Sequence, residues 1–228
     1  MGGHRTGPRT GRRRMLGSLL AVGAASLVGG CEPPIKLPAP LATPTPRDDP
    51  GYTPRVARQK LDKTNAMRLL DRRRVAYEAL AYDPAIHSAV EVADVLGVPP
   101  ERVYKTLVVL HEAPGRKPLL VMIAGPDELD MRTLARSVAS KAVRMAPQKE
   151  AERLTGLLVG GIGALALVGK PFEPCIERSA LAHDWILVNG GRRGINLKLA
   201  VADVIALTGA RVVDAVRRDT TSPSVGPS

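Results

Sequence analysis

Lys105 is the residue whose position in the sequence most clearly suggests chemistry. Residues 102–109 have the alternation of a β-strand, which places Lys105 on one face with Val103, Leu107 and Val109. An ammonium group on an apolar face needs an anionic or carbonyl partner, or it loses its proton because burial penalises charge. The alternative is that the strand starts late and Lys105 reaches water from its edge. The strand pattern alone leaves both interpretations open.

Two glycine-rich segments are the other candidates for a site. Residues 155–165 form a predicted loop around Gly160 and Gly161, whose backbone amides no side chain covers. Residues 189–194 place Gly190 and Gly191 beside two arginines, an arrangement that suits a phosphate or an ester oxygen. The alternative for this second segment is an ordinary Asn-Gly hairpin turn that carries solvated arginines.

Other familiar chemistries lack their residues in this sequence. Cys31 and Cys175 are too far apart to suggest a disulfide framework, and the histidines at 4, 87, 111 and 183 have no metal-ligand spacing. Neither glycine segment matches a dinucleotide fingerprint or a phosphate-binding loop. Cys175 lies in an apolar strand pattern, which is typical of an inert core thiol. We therefore predict a protein without a metal or another cofactor.

The composition indicates an aliphatic core and a polyanionic partner. The 228 residues include only one Phe, one Trp and four Tyr, which argues against stacking platforms for single-stranded nucleic acid. The formal charge is +11, but residues 1–61 hold ten basic and three acidic residues, whereas residues 62–228 hold 23 and 19. A basic surface on the folded part must therefore be local.

Residues 1–61 are predicted to be a basic extension outside the folded domain. Arg12, Arg13 and Arg14 precede an apolar run at 16–28, and the run ends in a lipobox-like sequence at Cys31, followed by a proline-rich tether. The alternative is a start codon assigned too far upstream. We expect a cytoplasmic protein, with a membrane-anchored lipoprotein attached through Cys31 as the alternative. The folded domain is expected at 62–219 and a disordered tail at 220–228.

The remaining pattern predicts helices alternating with short strands. Thr64 and Ser88 are predicted to cap the first two helices, and a β-hairpin is expected at 107–124. The further expected elements are a strand at 75–82, helices at 129–138 and 147–154, strands at 142–145, 172–176, 185–188 and 195–197, and a last helix from Lys198 or Ala200 to Leu207.

Four motifs in this order resemble one family. They are Thr64-Asn65-Ala66-Met67-Arg68-Leu69-Leu70, Val103-Tyr104-Lys105-Thr106-Leu107, Thr155-Gly156-Leu157-Leu158-Val159-Gly160-Gly161-Ile162 and Val188-Asn189-Gly190-Gly191-Arg192-Arg193-Gly194. Together they resemble the YbaK/EbsC family of aminoacyl-tRNA deacylases, the Cys-tRNA(Pro) trans-editing enzymes, over residues 62 to about 218. The resemblance implies a single mixed α/β domain with a curved, mainly antiparallel, barrel-like sheet flanked by helices.

The resemblance also implies an activity and a site. Such enzymes remove a wrongly attached amino acid from tRNA(Pro), and the cysteine thiol of the substrate attacks its own ester, so no protein nucleophile is needed. Lys105 matches the essential lysine of the family. The residues expected to bind substrate are Tyr82, Gly160, Gly161, Ile162, Asn189, Gly190, Gly191, Arg192 and Arg193. The expected partner is mischarged tRNA(Pro), and a standing complex with prolyl-tRNA synthetase is left open.

Four positions depart from the family pattern. Gly163 and Ala164 replace a Ser-Pro pair, Asn189 replaces a serine, and Asn196 replaces an acidic residue. A loop without that proline is expected to be looser. The departures concern selectivity for cysteine, so Ala-tRNA(Pro) is the second candidate substrate. A non-catalytic module that binds tRNA or a synthetase is the alternative from another functional class.

Overall fold

A computed structural model describes residues 62–217 of the chain. The predicted lipobox at Cys31, the tether and the tail at 220–228 lie outside the described residues. The helices are α1 (Asn65–Arg73), α2 (Ala89–Leu96), α3 (Met131–Ser137), α4 (Gln148–Thr155) and α5 (Val201–Thr208). The strands are β1 (Glu78–Ala81), β2 (Val103–His111), β3 (Leu119–Ala124), β4 (Val143–Met145), β5 (Glu173–Glu177), β6 (Trp185–Asn189), β7 (Ile195–Ala200) and β8 (Arg211–Val213).

The eight strands form one mixed sheet between helices. The strand order is β1-β7-β6-β2-β3-β5-β8, with β4 paired to β2. Four pairings are antiparallel and three, β2 with β6, β3 with β5 and β5 with β8, are parallel. The predicted mixed α/β architecture is confirmed. The edge strands β1 and β8 do not pair with each other, so the sheet does not close into a barrel.

Local sequence signals account for most helix boundaries. The hydroxyls of Thr64 and Ser88 accept hydrogen bonds from the third backbone N–H that follows each of them, and these bonds begin α1 and α2. Asp130 begins α3 in the same way. Gly97 and Gly209 end α2 and α5 with left-handed backbone that glycine adopts without strain.

Tertiary pairing changes three of the predicted elements. The strand predicted at 75–82 is shorter, because only Glu78–Ala81 pairs with β7. Lys198 lies within β7, opposite Glu78 and Leu187, so the expectation that it could begin the last helix is wrong. Strand β8 was not predicted, since its three residues gain their strand conformation from pairing with β5.

The two faces of the sheet bury different kinds of core. On one face a single cluster, here called the main cluster, joins α1, α5 and side chains such as Tyr104, Leu120 and Leu197. On the other face the buried side chains form two clusters. The α2 cluster contains Leu80, Val92, Ala93, Leu96, Val98, Val103 and Leu187. The α3 cluster includes Val109, Leu119, Val121, Ile123, Leu134, Val138 and Cys175. Among residues 62–217, no helix is long and apolar enough to cross a membrane.

Candidate active site

Lys105 lies at the boundary between the α2 cluster and the α3 cluster. Strand β2 begins at Val103, which belongs to the α2 cluster, and two positions further along the same face it presents Lys105. Leu107 and Val109, the next side chains on that face, pack in the α3 cluster. The side chain is half-buried, and its Nζ donates a hydrogen bond to the carbonyl oxygen of Gly125 at 2.9 Å. The predicted carbonyl partner is confirmed, and the strand does not start late.

Two features of the surroundings of Lys105 shift its pKa in opposite directions. Burial lowers the pKa of Lys105 below its ordinary value, because the charged form loses contact with water. Asp127 and Glu128, in the turn after β3, act in the opposite direction and favour the ammonium form. The result is a lysine with a net lowered pKa and nearby carboxylates that help to keep it charged. Such a group can donate a hydrogen bond or a proton more readily than a fully solvated lysine.

A row of polar side chains continues from Lys105 across the sheet. Asn189 at the end of β6 pairs with Asn196 of β7, and the two are 8% and 4% exposed. Strands β2 and β6 are parallel, with Val103 opposite Leu187 and Tyr104 opposite Val188. If this register is continued by one residue, Lys105 lies beside Asn189 on the same face. The row thus connects the lysine to the second glycine-rich segment.

Side chains of the 189–194 hairpin hold the loop at 155–163. The Asn189 Nδ2 atom donates to the carbonyl oxygen of Gly160 at 2.7 Å, and the Arg193 Nε atom donates to that of Val159 at 2.6 Å. From the other side, the Val159 N–H donates to a carboxylate oxygen of Glu152 at 3.0 Å. The two glycine-rich segments, predicted as separate candidates, are therefore one hydrogen-bonded unit.

Glycine is required where the two segments touch. A Cβ atom added to Gly161 would lie 2.9 Å from the backbone nitrogen of Arg193, and one added to Gly163 would lie 2.2 Å from the backbone oxygen of Asn189. Neither obstacle is a flexible side chain, so a larger residue would force the backbones apart. The absence of side chains in the loop therefore serves close packing as well as access to backbone amides.

Hydrogen bonding within the protein narrows the set of glycine amides that a substrate could use. The N–H groups of Gly161, Gly190 and Gly191 already donate, to Leu158 O, Ile195 O and Asn189 Oδ1 respectively. Within the described part of the chain, the N–H of Gly160 has no such acceptor. Of the four glycine N–H groups expected to bind substrate, that of Gly160 is therefore the one left free to donate a hydrogen bond to a substrate.

The remaining predicted site residues differ in how much of the side chain is exposed to solvent. Tyr82 packs against the α2 cluster, donates its backbone N–H to Gly194 O at 2.9 Å, and has a pKa raised by burial. Arg192 has an exposed side chain beside the loop, which partly matches the alternative of a hairpin with solvated arginines. Ile162 is buried in the main cluster, so only its backbone could face a substrate.

Three residues at this site were missed by sequence reasoning. His87, just before α2, places its Nδ1 3.6 Å from the Cβ position of Gly160. Gly125 supplies the acceptor for Lys105, and Glu152 holds the backbone of Val159. The strand–Gly125–Pro126 boundary was a usable turn signal in the sequence. Nothing local in the sequence marked His87 or Glu152.

Two other reactive groups lie outside the site. Cys175 is buried in the α3 cluster, and burial raises the pKa of its thiol, as expected of an inert core cysteine. His111 Nδ1 and Ser140 Oγ are 2.9 Å apart, but the Ser140 hydroxyl donates to Ala142 O at 3.1 Å and is not activated as a nucleophile. No group of metal-ligating side chains occurs among residues 62–217.

Comparison with known proteins assigns this arrangement to a family. Residues 83–207 match the model of the aminoacyl-tRNA editing domain. The chain belongs to that family. It is an aminoacyl-tRNA deacylase of the YbaK/EbsC type, as the four sequence motifs implied.

Individual relatives agree with this assignment. The chain is 31% identical to the Enterococcus faecalis protein named "Putative Cys-tRNA(Pro)/Cys-tRNA(Cys) deacylase EbsC", over 69% of this chain and 95% of that protein. It is 30% identical to a proline–tRNA ligase of Acidithiobacillus ferrooxidans, over 43% of this chain and 16% of the ligase.

Solved structures share the fold. The hypothetical protein APE2540 superposes with a TM-score of 0.61 at 27% identity, over 67% of this chain and 99% of that one. A structure described as "a putative trans-editing enzyme for prolyl tRNA synthetase" superposes with a TM-score of 0.58 at 23% identity, over 68% and 96%. The mixed α/β architecture is therefore shared with these solved structures.

Proposed function

We propose that this deacylase acts on mischarged tRNA(Pro), with Cys-tRNA(Pro) as its main substrate and Lys105 as its key catalytic residue. The observation that carries the proposal is the half-buried ammonium of Lys105, held by Gly125 O at the boundary between two apolar clusters. The relative with a Cys-tRNA(Pro) name and the partial match to a proline–tRNA ligase support the choice of tRNA.

The reaction we propose needs no nucleophile from the protein. The thiolate of the esterified cysteine attacks its own carbonyl carbon, a carbon–sulfur bond forms, and the bond from that carbon to the ribose oxygen breaks. The leaving ribose oxygen gains negative charge, and the ammonium of Lys105 stabilises it by hydrogen bonding and supplies the proton it needs. Water then opens the resulting thiolactone to free cysteine.

The glycine loop supplies the second part of this mechanism. The free N–H of Gly160 is a donor for the carbonyl oxygen of the aminoacyl group, which becomes more negative as sulfur attacks. Its loop is fixed by Asn189, Arg193 and Glu152, so the donor does not have to be ordered during the reaction. The exposed Arg192 is placed to attract phosphates of the tRNA end.

A deacylation assay with purified Cys-tRNA(Pro), Ala-tRNA(Pro) and Pro-tRNA(Pro) tests the proposal. We expect Cys-tRNA(Pro) to be cleaved fastest and Lys105→Ala to lose about 10²-fold or more in rate. Lys117→Ala is the matched control, because Lys117 is an exposed lysine in the hairpin turn at the far end of β2. Equal rates for the wild type and Lys105→Ala would refute the mechanism, and faster cleavage of Ala-tRNA(Pro) would favour the second substrate.

We further propose that the enzyme works in the cytoplasm, where charged tRNA is made, and that it meets prolyl-tRNA synthetase there. The lipobox-like sequence at Cys31 suggests the alternative, a lipoprotein anchored to a membrane through Cys31. Mass spectrometry of the natural N-terminus distinguishes the two, since a lipidated Cys31 would contradict a cytoplasmic enzyme. Co-purification with prolyl-tRNA synthetase, with and without tRNA(Pro), tests the partner.

A further inference from the structure

The side chain of Asn189 is committed to the protein at both ends of its amide group. Its Nδ2 atom donates to Gly160 O at 2.7 Å, and its Oδ1 atom accepts from the N–H of Gly191 at 2.8 Å. The residue is 8% exposed. A buried amide used in this way is better suited to fix two backbone segments than to serve as a main ligand for a substrate.

Gly163 makes this arrangement sterically feasible. A Cβ atom at position 163 would lie 2.2 Å from the backbone oxygen of Asn189 and 3.0 Å from its carbonyl carbon. Because both obstacles are backbone atoms, a side chain at 163 would push the loop away from the end of β6. The loop would then carry Gly160 O away from the Asn189 amide, so the two positions depend on each other.

We propose that Asn189 is a positioning residue for deacylation and that Gly163 is its steric complement, the pair fixing the 155–163 loop beside the strand that carries Lys105. The loop position sets the room available for the aminoacyl group, so the pair also governs discrimination between cysteine and alanine. This inference rests on the proposed function. It assigns Asn189 an indirect role, in place of the direct substrate contact that the family resemblance suggests.

Asn189→Asp tests the positioning role with nearly unchanged shape. An ionised carboxylate cannot donate to Gly160 O, so we expect kcat/KM for Cys-tRNA(Pro) to fall roughly 10- to 100-fold at neutral pH. A protonated carboxyl group can donate an O–H bond to the same oxygen. Burial beside the Gly160 carbonyl oxygen disfavours the charged form, so the pKa of the introduced carboxyl should lie above its ordinary value. The activity of the variant relative to wild type should therefore recover as the pH falls from 8 toward 5.

Asn65→Asp is the matched control for this substitution. It introduces the same change of charge at the exposed start of α1, where the Asn65 side chain accepts a hydrogen bond from its helix neighbour Arg68. We expect it to follow the wild type at every pH. A readout independent of activity is amide hydrogen exchange at Val159 and Gly161, whose N–H groups donate hydrogen bonds within the loop. Exchange there should become faster in Asn189→Asp and stay unchanged in Asn65→Asp.

A double-mutant cycle with Gly163→Ser and Asn189→Ser tests the steric complement. Each single change should lower kcat/KM and reduce the preference for Cys-tRNA(Pro) over Ala-tRNA(Pro). In the double variant the loop is no longer held by the Asn189 amide and can shift to accommodate the new side chain. Its loss should therefore be clearly smaller than the product of the two single losses.

The outcomes separate this inference from the proposed function. If Asn189→Asp keeps wild-type kinetics and exchange rates while Lys105→Ala is inactive, the positioning role is refuted and the function stands. Loss of activity without recovery at low pH, or strictly multiplicative losses in the cycle, also refutes the positioning role. If Lys105→Ala matches the wild type but the Asn189 variants alter exchange as expected, the function fails and the structural tie is supported.

Discussion

One face of the sheet carries a continuous apolar cluster, whereas the other carries two smaller clusters with Lys105 at their boundary. Adjacent residues of β2 display the difference. Tyr104 points into the main cluster, and its hydroxyl forms a hydrogen bond with the hydroxyl of Ser179 at 3.3 Å. Lys105 points to the face with two clusters, here called the divided face, and donates to Gly125 O. The gap between the two clusters leaves room for the buried or half-buried polar side chains of Lys105, Asn189 and Asn196. Burying polar groups contributes little to folding stability, so most of that stability must come from the main cluster on the other face.

The contrast also explains why the glycine-rich segments lie where they do. Asn189 and Asn196 are on the divided face, and the loop at 155–163 is bound to the end of that row by Asn189. Yet the same loop places Ile162 in the main cluster. The side chain of Ile162 thus anchors the loop in the main cluster. The backbone carbonyls of Val159 and Gly160 anchor it on the divided face.

Shortening a side chain of the main cluster should affect stability alone. Leu120 is fully buried in that cluster on β3, so Leu120→Ala should lower the free energy of unfolding by about 2–5 kcal/mol. The deacylation rate of each folded molecule should stay within about twofold, since the residue lies on the face away from Lys105. Urea unfolding followed by circular dichroism, together with the rate at low temperature, measures both quantities.

Lys105→Ala is the counterpart on the other face, with a large loss of rate and little loss of stability expected. If Leu120→Ala instead abolished turnover in fully folded protein, the division of labour between the two faces would be incorrect.

A polar atom on the apolar face should cost stability without serving the reaction. Thr106 follows Lys105 and points to the main cluster side, and its Oγ1 atom is buried with no hydrogen-bond partner in the described part of the chain. Thr106→Val keeps the shape and removes this hydroxyl. It should therefore raise the free energy of unfolding by about 1 kcal/mol and leave the deacylation rate unchanged.

Thr155→Val is the matched control, with the opposite expected sign. The Thr155 hydroxyl donates to Ala151 O at 2.7 Å and accepts from the N–H of Leu157 at 3.2 Å. Removing it leaves buried partners unsatisfied, which should lower the free energy of unfolding by about 1–3 kcal/mol. A loss of stability in Thr106→Val would show that its hydroxyl has a partner after all.

The sequence predicted those features of the site that depend on local periodicity. Alternation along β2 placed Lys105 on a face with Val103, Leu107 and Val109, and capping residues marked the starts of α1 and α2. Both are properties of neighbouring residues, and tertiary structure did not override them.

Features that depend on distant pairing were not predictable in this way. The hydrogen bond from Asn189 to Gly160 joins residues 29 positions apart, and it decides which glycine amides are still free. Glu152 and His87, which are 65 positions apart in the sequence, both lie close to neighbouring residues of the loop, Val159 and Gly160. Likewise, Lys198 looked like the start of a helix until its pairing with Glu78 placed it in β7.

The smallest expected effect concerns the charge of Lys105 on the divided face. Asp127 favours the ammonium form, so Asp127→Asn should lower the pKa of Lys105 further below its ordinary value. Catalysis needs the protonated amine, and it is lost as the pH rises through this pKa. The alkaline limb of kcat/KM should therefore move to lower pH, with little change at pH 7.

Glu112→Gln provides the comparison, because it removes one carboxylate from the exposed turn at the opposite end of β2 and should leave the limb in place. Tyr104 is a second candidate for the titrating group, because burial raises the pKa of its phenol and Asp127 raises it further. If the limb belonged to Tyr104, Tyr104→Phe would abolish it. A limb that persists in Tyr104→Phe and moves in Asp127→Asn identifies the amine of Lys105 as the titrating group, whereas a limb that stays fixed in Asp127→Asn rules that assignment out.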